Sequence, residues 1–210
     1  MKSMICHKLT DNTLIMVSSD NGAAGRPYAP LRGAKTSIYE DGHRVPFVAR
    51  WPGKIKPGSV CDDTICLNDL MATSAEIIGA KLPDSADEDS VSILPDLLGT
   101  AKGPVREATL HQAPNRDLAI RQGPWKLIFP NDGQRELYNL ADDLGETKNV
   151  AEANPEVIER LTSLMQKYIA DGRSTPGATQ KNEADISLDA SSGGKKRKAR
   201  SASRCPQKPS

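Results

Sequence analysis

The chain has 210 residues, with 28 lysines and arginines against 27 aspartates and glutamates, a net charge of +1, and 37% hydrophobic residues. That length suits one or two domains, and the hydrophobic share is low for a self-contained α/β core. No stretch approaches the ~20 consecutive apolar residues that a membrane-spanning helix needs. Met1 to His7 lacks the long apolar run of a secretory signal. Cys61 and Cys66 have neither a second pair nor histidines at zinc spacing, so with Cys6 and Cys205 they make no metal or disulfide framework; idle thiols are expected.

In chain order, a helix is expected over about Lys2–Leu9, followed by an apolar run, Thr13–Ser18. Such a run predicts a strand buried on both faces, of the kind found inside a parallel sheet. The turn Ser19-Asp20-Asn21-Gly22 comes directly after it, at the carboxyl end of the strand, where ligands gather in open α/β sheets. Asp20 and Asn21 are hard oxygen donors suited to Ca²⁺ or Mg²⁺ rather than a soft metal, although Asp-Asn-Gly is also ordinary turn chemistry. Pro46–Trp51 is the best second strand of this type. A strand this apolar without neighbours would be an aggregation-prone edge. The chain is therefore expected to be the carboxyl-terminal part of something larger.

Downstream, Asp69–Ala80 predicts a helix capped by Asp69, with Leu70, Met71, Ile77 and Ile78 inward and Gly79 near its end. Pro83–Asp89 is an acidic loop, and Ser92–Pro95 leads into a short helical turn ending at Leu98-Gly99. Lys102-Gly103-Pro104 marks a boundary. Asp117–Arg121, Trp125–Phe129 and Arg135–Leu140, divided by turn signals, predict an antiparallel meander. His111 lies just before it, by default a strand-edge histidine, with a substrate-facing role as the alternative. Pro155–Ala170 is the clearest helix: Asn154 is the expected cap, Pro155 suits the first position and Gly172 the end. Val157, Ile158, Leu161, Leu164, Met165, Tyr168 and Ile169 form its apolar stripe. From Arg173 onward the composition predicts disorder. Residues 193–210 hold seven basic residues and no acid; without those seven, 21 basic residues face 27 acidic ones, a net of −6. A basic tail on an acidic body suits polyanions, while its lack of aromatics excludes a stacking platform for single strands.

Several ordered blocks carry a family resemblance. Ser19–Gly22, Leu31–Lys35, Tyr39–Phe47, Arg50–Ile55, Asn68–Thr73, Ala119–Arg121, Trp125–Ile128 and Glu136–Leu140 resemble the sulfatase family, arylsulfatase-like and formylglycine-dependent, in order and spacing. The resemblance covers roughly Leu9 to Gly177. It implies an α/β fold, the carboxyl-terminal part of an alkaline-phosphatase-like sulfatase domain (1–103), plus a small antiparallel sheet with one packed helix (104–172) and a basic tail (173–210). It also implies a sulfuric ester hydrolase in which a hydrated formylglycine attacks sulfur with the help of Ca²⁺. Asp20 and Asn21 map onto calcium ligands, and Lys35 onto the lysine that reaches the sulfate. Partners would be sulfate esters, including sulfated carbohydrates, and the full-length protein would be periplasmic or secreted.

The sequence departs from the family pattern in informative places. Asp41 stands where a second glycine is common, bringing a negative charge close to an anion site unless it points away. His43 fills a variable position and is a candidate substrate contact, titratable groups near anion sites being functional candidates. No cysteine or serine heads the nucleophile motif Cys/Ser-x-Pro-x-Arg; Ser174-Thr175-Pro176 starts correctly, but Ala178 occupies the arginine position. The chain alone is expected to be inactive. Two alternatives stand beside the sulfatase reading: a non-catalytic sulfated-glycan-binding remnant, and a phosphate or phosphonate ester hydrolase, against which Leu31–Lys35 and Tyr39–Pro46 speak.

Overall fold

The structure, a computed structural model, describes residues 9–25, 28–131 and 133–188. Apart from Leu9, the expected helix at 2–9 lies outside the described residues, as do Cys6, Cys205 and the basic run at 195–208. Among the described residues no helix is long and apolar enough to cross a membrane.

The elements run β1 (Ile15–Ser18), α1 (Glu40–His43), β2 (Phe47–Arg50), α2 (Asp69–Ile78), α3 (Leu94–Leu98), β3 (Thr109–Gln112), β4 (Leu118–Gln122), β5 (Trp125–Phe129), β6 (Glu136–Asn139) and α4 (Pro155–Asp171). Short 3₁₀ turns precede β1 and α4. β1 and β2 form a two-stranded antiparallel sheet with Ile15 opposite Arg50. The expectation of a strand buried on both faces in a parallel sheet is not met here: β1's partner is antiparallel, and Val17 and Val48, opposite one another, are more than 60% exposed.

β3–β6 form the expected meander, enlarged by one strand, with order β3-β4-β5-β6 and every pair antiparallel. Side chains alternate across it because successive residues of a strand point to opposite faces. One face presents Ile120, Leu127, Phe129 and Leu137 to Val157, Leu161, Met165 and Tyr168 of α4. Each such burial contributes about 1.5–3 kcal/mol, so α4 gains on the order of 10 kcal/mol gross as an upper estimate. The other face is also covered: Ala119, Ile128 and Tyr138 pack on Ile38 and Leu140. This second contact seats the small sheet against the segment that follows β1. Arg32 pins it there, its guanidinium 3.7 Å over the Tyr39 ring and donating to the Tyr138 hydroxyl (3.1 Å) and the Glu146 carbonyl (2.9 Å).

Helix α4 starts at Pro155 and stops at Gly172, whose φ of +63° takes the left-handed conformation that glycine permits. Asn154 does not cap it; its side-chain amide donates back to the Val150 carbonyl at 2.9 Å. In α2 the buried residues are Asp69, Thr73 and Ala75, whereas Met71 and Ile78 face outward. The polar side leads because Asp69 is a tertiary anchor: it accepts from the amides of Cys66 (2.7 Å) and Val91 (3.0 Å) and pairs with Arg106. Cys61 and Cys66 are free thiols.

Composition predicts disorder from Arg173 onward, but residues 173–175 bond to the 84–89 loop and Leu188 packs on the α4 core. Arg173 is buried, and its guanidinium donates to the carbonyls of Asp84, Thr175, Pro176 and Ala178 and to the Thr175 hydroxyl. Composition forecasts solvation, but one guanidinium with five donors gathers the carbonyls of two loops.

Candidate functional site

The site grows from the carboxyl end of β1. The Ser18 hydroxyl donates to the Pro46 carbonyl at 2.8 Å, tying the end of β1 to the start of β2. Gly22 then donates its amide to the Gly42 carbonyl at 3.1 Å, and the Lys35 amide donates to the Ala23 carbonyl at 3.0 Å. Three separated blocks are thereby joined through their backbones. The approach is close enough to demand glycine twice. A Cβ at Gly22 would stand 1.5 Å from the Asp41 carbonyl oxygen, and one at Gly42 would stand 2.0 Å from that of Ser37.

Asp20, Asn21 and Lys35 line one cleft of ≈ 650 Å³, together with Tyr28, Asp41 and Arg44. Asn21 and Lys35 also border a neighbouring cleft of ≈ 450 Å³, where His43 joins them. All four residues singled out from the sequence therefore gather around Asn21 and Lys35. Among the described residues, the side chains of Asp20, Asn21 and Lys35 make no hydrogen bond or ion pair, so they face the cleft uncommitted. Asp41 is only 2% exposed, and its carboxylate accepts from the Tyr28 amide at 3.2 Å, so this acid is engaged by the backbone.

Asp20 and Asn21 fit a hard cation in chemistry, since both offer oxygen. They supply two ligands of the roughly six to eight that calcium takes. Among the described residues, the one group of three His, Cys or acidic side chains able to enclose an ion is Cys61, Asp63 and Asp96, which does not include Asp20.

Behind the clefts lies a buried charge cluster. Lys126, fully buried, places Nζ 3.1 Å from Glu40 Oε1 and 2.7 Å from Glu146 Oε1. Glu146 Oε2 accepts the Glu40 amide at 2.6 Å. Glu40 also receives Arg44 Nε at 2.7 Å and His43 Nε2 at 3.1 Å, with Arg121 at 3.7 Å. Burial by itself would raise the Glu40 carboxyl. The hydrogen bond with His43, then the Lys126 ammonium and the charges of His43 and Arg44, outweigh it and hold Glu40 well below the usual carboxylate range. At Glu146 burial wins over Lys126 and the carboxyl is pushed up. His111, on β3, stacks on His43 with centroids 3.9 Å apart and planes at 25°. Burial, followed by the charges of His43 and Lys126, drives its imidazole well below the ordinary histidine value.

Sequence reasoning quoted Glu40 and Lys126 within motifs but gave them no role, and it left Glu146 unmentioned. One signal was available: Lys126 is a lone charge inside the apolar run Trp125–Phe129. A lysine in a strand covered on both faces needs a buried acid.

The Glu40 arrangement has a pH signature. A carboxyl whose folded value is lowered adds stability that is complete above its unfolded value, near 4.3, and is lost as pH falls below it. Glu146, shifted upward, acts in the opposite sense. Comparing wild type with Glu40→Gln isolates the first term: the difference in Tm between them is expected to shrink from pH 6 to pH 3. A constant difference would show that Glu40 does not titrate with folding.

Residues 34–173, two thirds of the chain, match the family described as N-sulphoglucosamine sulphohydrolase, C-terminal. An N-acetylgalactosamine-6-O-sulfatase of Bacteroides thetaiotaomicron is 34% identical over 196 residues, covering 79% of this chain and 38% of that protein. Human (Homo sapiens) arylsulfatase A is 31% identical over 209 residues, covering 82% of this chain and 41% of its own. Among solved structures, one from work on metabolism of multiple glycosaminoglycans by B. thetaiotaomicron superposes with TM-score 0.73 at 33% identity, over 80% of this chain and 41% of that one. Ps i-CgsB in complex with k-i-k-neocarrahexaose superposes with TM-score 0.72 at 26% identity, over 85% and 41%. The chain thus spans about two fifths of the length of these relatives. Its two antiparallel sheets and their helices correspond to the carboxyl-terminal portion of the alkaline-phosphatase-like sulfatase fold, and the chain belongs to the sulfatase family.

Proposed function

We propose that this chain supplies the carboxyl-terminal part of a sulfuric ester hydrolase site acting on sulfated carbohydrates. The observation that carries the reading is the gathering of Asp20, Asn21 and Lys35 on one cleft, held by the Gly22–Gly42 contact. Lys35 donates to a sulfate oxygen and orients the ester. Asp20 and Asn21 would hold Ca²⁺ by their side-chain oxygens. That cation, when bound, would stabilise the negative charge that builds on the sulfate oxygens. Arg44, paired with Glu40, lines the same cleft. The carbohydrate class follows the names of the relatives, an N-acetylgalactosamine-6-O-sulfatase and an ulvan-active sulfatase of Formosa agariphila among them.

The formylglycine nucleophile would come from a segment other than these 210 residues, since no Cys/Ser-x-Pro-x-Arg motif occurs in them. The chain alone is accordingly expected not to turn over sulfate esters, and hydrolysis of an aryl sulfate above a Lys35→Ala control would overturn this. The missing motif also favours a second reading, a non-catalytic module that binds sulfated glycans.

Binding tests both readings. Titration calorimetry with inorganic sulfate, in the presence of calcium, is expected to show Lys35→Ala weakening affinity about tenfold or more, since a hydrogen bond to a charged group contributes about 1.5–3 kcal/mol. Asp20→Ala is expected to abolish calcium uptake while leaving the fold intact, Asp20 being exposed. Sulfate binding indifferent to Lys35 would sink the site.

A further inference from the structure

The ≈ 450 Å³ cleft beside Lys35 has walls from two different sheets. Asn21, Lys35 and His43 come from the segment around β1 and α1, while Leu110, His111 and Gln112 come from β3. Among the described residues β3 is an edge strand, paired with β4 alone. The second sheet therefore brings its free edge to the cleft in which Lys35 sits.

The His111 ring is half-buried, stacked on His43, and borders the cleft. Its Nε2 engages the Thr109 hydroxyl at 3.1 Å, while its neighbour in the stack, His43, engages Glu40 through Nε2 at 3.1 Å. Each ring is oriented by one nitrogen, and neither Nδ1 has a hydrogen-bond partner among the described residues. A leucine or phenylalanine would fill the same space without bringing a polar nitrogen. An imidazole kept neutral by burial offers an apolar face and one hydrogen-bonding atom and adds no charge. Those are the properties of a surface for a sugar, which shows C–H faces and hydroxyls, rather than of a second anion site.

We propose that His111, stacked on His43, is a specificity-determining residue that contacts the sugar ring of the ester whose sulfate Lys35 holds. The inference rests on the sulfate reading above and adds the carbohydrate side of the same site. The two sheets would then divide the substrate between them, with the β1–α1 segment holding the sulfate and β3 reading the ring.

The test is titration calorimetry on the full chain with two probes, inorganic sulfate and N-acetylgalactosamine 6-sulfate, with calcium present. Wild type is expected to bind the sugar sulfate more tightly than inorganic sulfate. His111→Ala should lose about tenfold in affinity for the sugar sulfate with inorganic sulfate unchanged. His111→Gln, whose amide keeps the bond to Thr109 and a polar atom on the cleft, should restore most of that loss. Lys35→Ala should lose both probes. Wild-type affinity for the sugar sulfate in both His111 variants would overturn the inference, as would equal wild-type affinity for the two probes. Retained sulfate binding in Lys35→Ala, or no binding of either probe by wild type, would instead remove the sulfate reading and this inference with it.

Discussion

Replacing Lys126 with alanine is expected to lower the unfolding free energy by about 3–5 kcal/mol, the usual cost of removing one partner from a buried ion pair. The reason is geometric. The Lys126 ammonium sits between two buried carboxylates, 3.1 Å from Glu40 and 2.7 Å from Glu146. Glu40 would keep Arg44 and His43, but Glu146 has Lys126 as its ion-pair partner among the described residues and would be left as a desolvated charge. Because domains are stable by only about 5–15 kcal/mol in total, this single change brings the fold close to failure. Lys126→Met should behave similarly, since it fills the volume yet leaves the carboxylates unpaired. Urea unfolding would measure it as a fall in midpoint at unchanged slope. A loss under about 1 kcal/mol would mean the cluster is solvated like a surface pair.

The second large effect is expected at Gly22. Replacing it with alanine puts a Cβ 1.5 Å from the Asp41 carbonyl oxygen, a backbone atom that cannot swing aside. The turn carrying Asp20 and Asn21 must then separate from α1, breaking the Gly22–Gly42 hydrogen bond. Overpacking of this kind costs on the order of 3 kcal/mol. The functional loss should exceed the loss of stability. Asp20 and Asn21 would move relative to Lys35, so calcium and sulfate binding should both disappear even where circular dichroism shows a folded chain. Alanine at the exposed Gly53, where a Cβ meets nothing within 4 Å, is the control: its φ of +70° adds backbone strain only. If Gly22→Ala binds sulfate normally, the turn is not what positions the site.

How much of this was legible in the sequence depended on how local the cause was. Helix α4 could be read almost to the residue because proline at its start, glycine at its end and a 3.6-residue stripe are properties of the segment itself. The three later strands of the meander could be read because turn residues divide apolar runs. β3 could not: Thr-Leu-His-Gln has no strong alternation and is a strand because β4 pairs with it. In α2 the hydrophobic pattern pointed to Met71 and Ile78, whereas the buried side is set by Asp69 and its partners on other segments.

The site divides the same way. Asp20 and Asn21 stood out as paired oxygen donors on a turn, and Lys35 through the family resemblance of its motif block; the fold gathers these three candidates on one cleft. Glu40, Lys126 and Glu146 acquire meaning only in three dimensions, where residues 86 and 106 positions from Glu40 come within hydrogen-bonding distance of it. Residue type, order and local periodicity were enough for the family, the main helix, three strands of the meander and the candidate groups that share one cleft. Folding was needed to settle which charges are buried together, which face of α2 turns inward and which strand edge borders the cleft. Those outcomes depend on desolvation and long-range pairing, whose energies no local window of the chain contains.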